Sequence, residues 1–299
     1  MSSVNLADFA YESAVDEFTD YMVYKKMSGL GFERRHRFSG TLKRLSAMEY
    51  GHYRFWMKYC PDRVVRVSNL KVYFIIFIRL VLGVTFAVKF LERNEMRTIK
   101  KYKAVARRIP QRDQPEFKRI IADEVGHENE FVQQFDEPHI RYISFIVLGL
   151  ADALVEIAGI HAGSLGIYDR TELAGLAGII AGAAASIAMA SAAYAQAKTG
   201  FKGSATLSAI YTGISYFFTA LILATPYFLT NVMVYALTAS LVFAVVLTAF
   251  ISFYGSVISG TGFTKDFIEI TSIIFGATVA LYLIGIVIGY LTGVAKIGL

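Results

Sequence analysis

The chain has 299 residues, 55% of them hydrophobic, with 30 basic and 24 acidic side chains and a formal net charge of +6. A mean hydropathy of +0.47 is too high for an ordinary water-soluble protein and points to membrane spans. The single cysteine, Cys60, excludes an internal disulfide and a multi-thiolate metal site.

Charge divides the chain. Only six basic and six acidic residues follow residue 140, so 24 and 18 precede it. This predicts a charged, water-facing domain over residues 1–138 and a membrane domain over 139–299. The basic excess is better read as a cytoplasmic domain beside anionic lipid than as a nucleic-acid surface. The N-terminal "MSSVNLADFAYESAVDEF" is acidic and lacks the apolar core of a signal peptide.

Apolar residues recur at helical spacing over 4–28, and "SGLGF" interrupts them. A second helix is predicted from Phe38 to Tyr59, ahead of Pro61. A long third runs from Leu70 to Arg107, ahead of Pro110. The fourth opens at "RDQPEF", where Asp113 can cap and Pro115 suits the first turn, and runs to Asp136. Four helices in about 140 residues suggest a helical bundle. Within the third, "VYFIIFIRLVLGVTFAVKF" (72–90) is nearly long enough to span a bilayer, but Arg79 and Lys89 are costly at mid-membrane. It reads as an amphipathic bundle helix lying against the lipid surface, with a true span as the alternative.

Five apolar runs follow, over 142–167, 173–196, 206–229, 232–254 and 268–292, each meeting the roughly 20-residue requirement for a span. The second is rich in Gly and Ala, which lets helix backbones approach closely. "KTGFKGS", between the second and third runs, is basic and belongs with the N-terminal domain on the cytoplasmic side. Five spans then place the C-terminus on the opposite side.

Each helix of the first domain offers carboxylates. Glu17 lies on the first, with Tyr24 seven residues on. Glu49 and His52 are three apart on the second, Glu92 and Glu95 on the third, Glu124 and His127 on the fourth. Residues three apart share a helix face. Two Glu-x-x-His pairs with glutamates on the other two helices are the inventory of a carboxylate-bridged di-iron or di-manganese site. Oxygen and imidazole donors suit Fe(II) or Mn(II). A single Glu-x-x-His pair is more often a solvated surface pair.

This ordered set resembles the rubrerythrin and ferritin-like family over residues 4–136. The resemblance implies a ferritin-like four-helix bundle in which all seven residues bind metal, with Tyr24 and Tyr102 as supporting neighbours. The four-cysteine domain of rubrerythrin is absent, which sets an electron-transfer role like rubrerythrin's aside.

In the first span, Asp152 and Glu156 are four apart on one face. Intramembrane acids face a pathway or a partner; they hold a cation, exchange protons, or clamp helices when protonated. His161 falls about half a turn from Asp152 and is not assigned to the same ion. Met189 offers a soft sulfur, although a methionine in a span is more often packing.

"VLGLADALVEIAGIHAG", with "SIAMASAAY" and "TPYFL", resembles the vacuolar iron transporter family over residues 141–295. That family moves Fe(II) out of the cytosol, coupled to protons, through a dimer-interface pathway. Carried over, Asp152, Glu156 and Met189 line the pathway. Two features depart from the family: Ala193 stands where many relatives have a glutamate, and only "KTGFKGS" stands for the long cytosolic segment between spans two and three. The fusion resembles the membrane-bound ferritin, or erythrin–vacuolar iron transport, family. It implies an all-α homodimer that exports Fe(II), with Mn(II) also accepted. Whether the bundle has ferroxidase activity stays open. The alternative is a membrane-anchored di-iron oxidase or peroxidase, or an iron-storage or sensing module.

Overall fold

The computed structural model describes residues 5–30, 38–93, 95–130 and 141–293; the side chains of residues 95, 96 and 127–130 lie outside that description. The described residues are helical with no strand. The chain divides into two compact units, Met1–Glu137 and Pro138–Leu299.

In the first unit α1 spans Leu6–Gly29 and α2 spans Phe38–Met57. Asn5 starts α1 by accepting a 3.1 Å hydrogen bond from the Ala7 amide, one of the donors that a helix start leaves without a partner. The expected long third helix is instead three: α3 (Asn69–Leu82), α4 (Val84–Glu92) and α5 (Glu95–Val105). The first break is at Gly83, whose φ of 93° and ψ of 166° lie in a region that side chains other than glycine's rarely enter. Residues 72–90 are therefore two helices bent at Gly83, not one straight rod. After two 3-10 turns, α6 covers Gln114–Glu130; the predicted continuation to Asp136 lies outside the described residues. Asp113 stands directly before α6 and accepts a 2.8 Å hydrogen bond from the Tyr59 hydroxyl.

The apolar core of this unit is aromatic. Phe9, Phe55, Trp56, Tyr102 and Phe117 are all buried, with Trp56 and Tyr102 centroids 5.0 Å apart. Offset and edge-on ring contacts of this kind add to the area that water drives out of contact. They set α1, α2, α5 and α6 around a common interior, where the candidate site lies.

In the second unit α7 is Ile143–Ser164, α8 Thr171–Lys198, α9 Ala205–Ala224, α10 Pro226–Leu229, α11 Met233–Ser259 and α12 Phe263–Thr292. Five helices are long and apolar enough to cross a membrane, the third continuing from α9 through α10 to Leu229. By length and apolarity these helices are those of an integral membrane protein. Packing around α7 relies on small residues. A Cβ on Gly149 would lie 2.3 Å from the Thr212 carbonyl oxygen, and one on Gly285 would lie 2.2 Å from that of Gly163. Backbones that close exchange dispersion and weak polar contacts that lipid does not supply.

Candidate metal centre

Glu17, Glu49, His52 and Glu124 converge in the first unit. One donor atom from each lies within 4.8 Å of all the others, and all four side chains are buried. Helical spacing explains the convergence: α2 places Glu49 and His52 one turn apart on one face, while α1 and α6 each supply one carboxylate from the neighbouring sides.

His52 is the hub. Its Nδ1 lies 3.1 Å from Glu124 Oε1, 3.5 Å from Glu17 Oε2 and 3.6 Å from Glu49 Oε2. Burial alone would push this imidazole down, but its contacts with Glu124, Glu17 and Glu49 outweigh burial and hold it protonated well above its usual range. Burial works the other way on the acids. Glu49 is raised well above the carboxylate range by burial, with the charges of Glu17 and Glu124 adding to the effect. Burial opposes ionisation of Glu17 as well, yet its contacts with His52 prevail and keep it low.

The imidazolium is the one cation in this four-residue group, held where three carboxylates can share it. A divalent ion among the same oxygens would replace that proton at Nδ1 and neutralise more charge. The donor set, three carboxylates and one imidazole with no sulfur, fits a metal ion of intermediate hardness. The group is able to hold a metal ion.

Neighbouring side chains fix the donors. The Tyr102 hydroxyl donates to Glu17 Oε1 at 2.5 Å and accepts from Trp56 Nε1 at 3.2 Å, so the aromatic core orients a ligand carboxylate. Asp123 lies 3.4 Å from His52 Nε2, the ring nitrogen facing away from the three glutamates. A carboxylate there fixes ring orientation, as it does for metal-bound histidines generally. Sequence spacing missed Asp123, because it is adjacent to Glu124 and matches no three-apart template. The signal available was an acid beside a candidate ligand.

Glu92 is not one of the converging four. It lines the same cavity, of about 290 Å³, with Asp16, Glu17, Asp20, Glu49 and Glu124, and accepts a 3.0 Å hydrogen bond from Tyr24. Glu92 ends α4 and Glu95 opens α5, and the face expected of the pair falls on Asn94 and the Glu95 side chain, which lie outside the described residues. The side chains of Glu95 and His127 lie outside the described residues.

In the membrane unit Asp152 and Glu156 are half-buried on α7. The buried Tyr216 hydroxyl of α9 donates to Glu156 Oε2, a partner that sequence reading did not supply. Met189 is half-buried and packs against the apolar core of α7 and α9. His161 is fully buried nearer the far end of α7, its Nδ1 3.5 Å from Ser240 Oγ and its ring 4.2 Å from that of Tyr227.

No protein-family model, curated protein or solved structure matches the chain.

Proposed function

We propose that the protein exports Fe(II) from the cytosol, with Mn(II) as a second accepted ion, and that it belongs with the erythrin–vacuolar iron transport proteins it resembles. The observation that carries this reading is a pairing within one chain. A buried Glu17–Glu49–His52–Glu124 group able to hold a metal ion accompanies two carboxylates within a helix apolar enough to span a bilayer. An anchor alone has no use for acids at Asp152 and Glu156, which are expensive in lipid.

In this reading the first unit is cytoplasmic and takes up the ion from solution. The four converging donors suffice for one cation. A second ion, as in a ferritin-like di-iron site, would draw on Glu92 in the shared cavity and on Glu95 and His127. Asp152 and Glu156 receive the ion in the membrane, with Met189 beside the same core. Protons bound to these acids from the far side release it. A homodimer as the transporting form is what the resemblance implies, and the Gly- and Ala-rich α8 is the feature that supports it.

The test is flux of Fe(II), Mn(II) and Zn(II) into sealed proteoliposomes, with and without a proton gradient. Asp152→Ala is expected to abolish flux while the bundle still binds metal; intact flux would reject this pathway. Glu124→Ala is expected to reduce bound metal and leave the spanning helices folded. Oxygen-dependent oxidation of bound iron without any flux would instead establish the anchored oxidase.

A further inference from the structure

The helix α3 carries an apolar face that nothing among the described residues of its own unit covers. Val72, Ile75 and Ile78 are buried, while Leu70, Tyr73, Phe74, Phe77, Leu80 and Val81 are exposed, Leu70 by 80% and Phe77 by 61%. These six recur at three- and four-residue intervals, so they form one stripe along the helix. Among the described residues of the first unit they are six of the nine large apolar side chains that stand exposed. Such concentration marks a contact surface, because isolated exposed apolar residues need no explanation whereas a contiguous patch does.

Charge around the stripe indicates what covers it. Between Asp62 and Glu92 the chain holds no acid at all, but Arg63, Arg66, Lys71, Arg79 and Lys89. Of these, Arg63, Arg66 and Lys71 are exposed, Arg63 in an ion pair with Asp8. The ammonium of Lys26, from α1, sits 4.1 Å from the centroid of the Tyr73 ring, at the margin of the apolar face. Tyr73 is of the type that settles at a membrane–water boundary, and Phe74 and Phe77 suit the lipid-facing side of an interfacial helix. At 14 residues α3 is roughly 21 Å long, too short to cross a bilayer. An apolar stripe on a helix whose own charged side chains are all basic is the make-up of a helix lying in the plane of an anionic lipid surface. The chain's own spanning helices keep a bilayer within reach at high effective concentration.

We infer that α3 beds its Leu70–Val81 stripe into the headgroup boundary of the membrane that the protein spans. The bundle then carries a lipid-binding face of its own, independent of whether any metal is transported.

The full chain, with bimane attached at Phe77→Cys, tests this in anionic liposomes whose acyl chains are or are not brominated. Cys60 is only 4% exposed and stays unlabelled. Bromination is expected to quench the label at least two-fold, and to do the same at Phe74→Cys. A label at Lys118→Cys, exposed on α6, is expected to keep its emission. Unquenched emission at both α3 positions overturns the inference. Disulfide-linked pairs of chains formed through these cysteines without quenching also overturn it, in favour of a second copy as the occupant. Each variant replaces an exposed ring, and a thermal melt like that of the wild type certifies its fold.

Discussion

The two units are both helical, but their interiors are made of opposite materials. The first fills its core with large rings, and beside them it buries three glutamates and a histidine. The second brings backbones together through glycine, as at Gly285 against Gly163, and several of its buried hydroxyls bond back to their own helices. Thr248 donates to Ala244 and Thr278 to Ile274, at 2.8 and 2.7 Å. Water explains the difference. It drives large apolar groups together in the first unit, and the margin so gained tolerates an expensive polar cluster. Lipid does not distinguish an apolar interior from itself, so the second unit gains by close approach and by pairing many of its hydroxyls within a helix.

Removing the largest ring is the strongest way to break the first pattern. Trp56 is fully buried, and Trp56→Ala is expected to destabilise the first unit by about 3–5 kcal/mol. A circular-dichroism melt of the full chain should show a new early transition, with the spanning helices melting as before. The second pattern breaks in the reverse direction, by adding a single methyl. A Cβ at Gly285 meets backbone, which cannot rotate away, so Gly285→Ala is expected to cost about 1–3 kcal/mol. On the same helix Gly276 has nothing within 4 Å, and Gly276→Ala should leave the melt unchanged or slightly raised. Equal effects at the two glycines would refute the close-packing account.

Within the first unit, the aromatic core and the polar cluster meet at one side chain. Tyr102 belongs to the aromatic core and holds Glu17. Tyr102→Phe keeps the ring, removes the hydroxyl and takes away the acceptor of Trp56 Nε1. The expected loss is about 1–2 kcal/mol, because one buried donor is left unmet. Metal affinity, followed by titration with Mn(II), should fall as Glu17 loses its fixed orientation. Unchanged affinity would mean that Glu17 is oriented by the glutamate–histidine group itself.

How much of this was legible follows the same division. The five spans stood out because length and apolarity suffice to mark them; α7 and α9 start within a residue of their expected positions. Glu49 and His52 were legible because one helix carries both, and a single spacing rule places them on a shared face. The bend at Gly83 was not legible, since "LVLGVTF" keeps an apolar pattern and one glycine is tolerated inside many helices. That bend divides the helix expected over residues 70–107 well before Glu92. Asp123 and Tyr216 were hidden for another reason. Each acts across a helix–helix contact, through His52 and Glu156, and no local pattern records such a partner.

The smallest effect is also the one whose sign separates a metal-binding core from a merely structural one. Burial, with the charges of Glu17 and Glu124 adding to it, leaves Glu49 with a raised pKa, so in the metal-free protein it holds its proton above the usual carboxylate range. A group with a raised folded pKa contributes stability that is fully present below its unfolded value, near 4.5, and is lost as pH rises through the folded value. The metal-free wild type should therefore lose stability across that window, from mildly acid pH upward. Glu49→Gln cannot ionise, and its melting temperature should hold as the pH rises, ending roughly 2–4 °C above the wild type at pH 8. Mn(II) should reverse the order, because the ion takes up the excess negative charge of the wild type and finds one oxygen donor weakened in the variant. A core glutamate kept only for packing would give a variant that is less stable at every pH and indifferent to the metal.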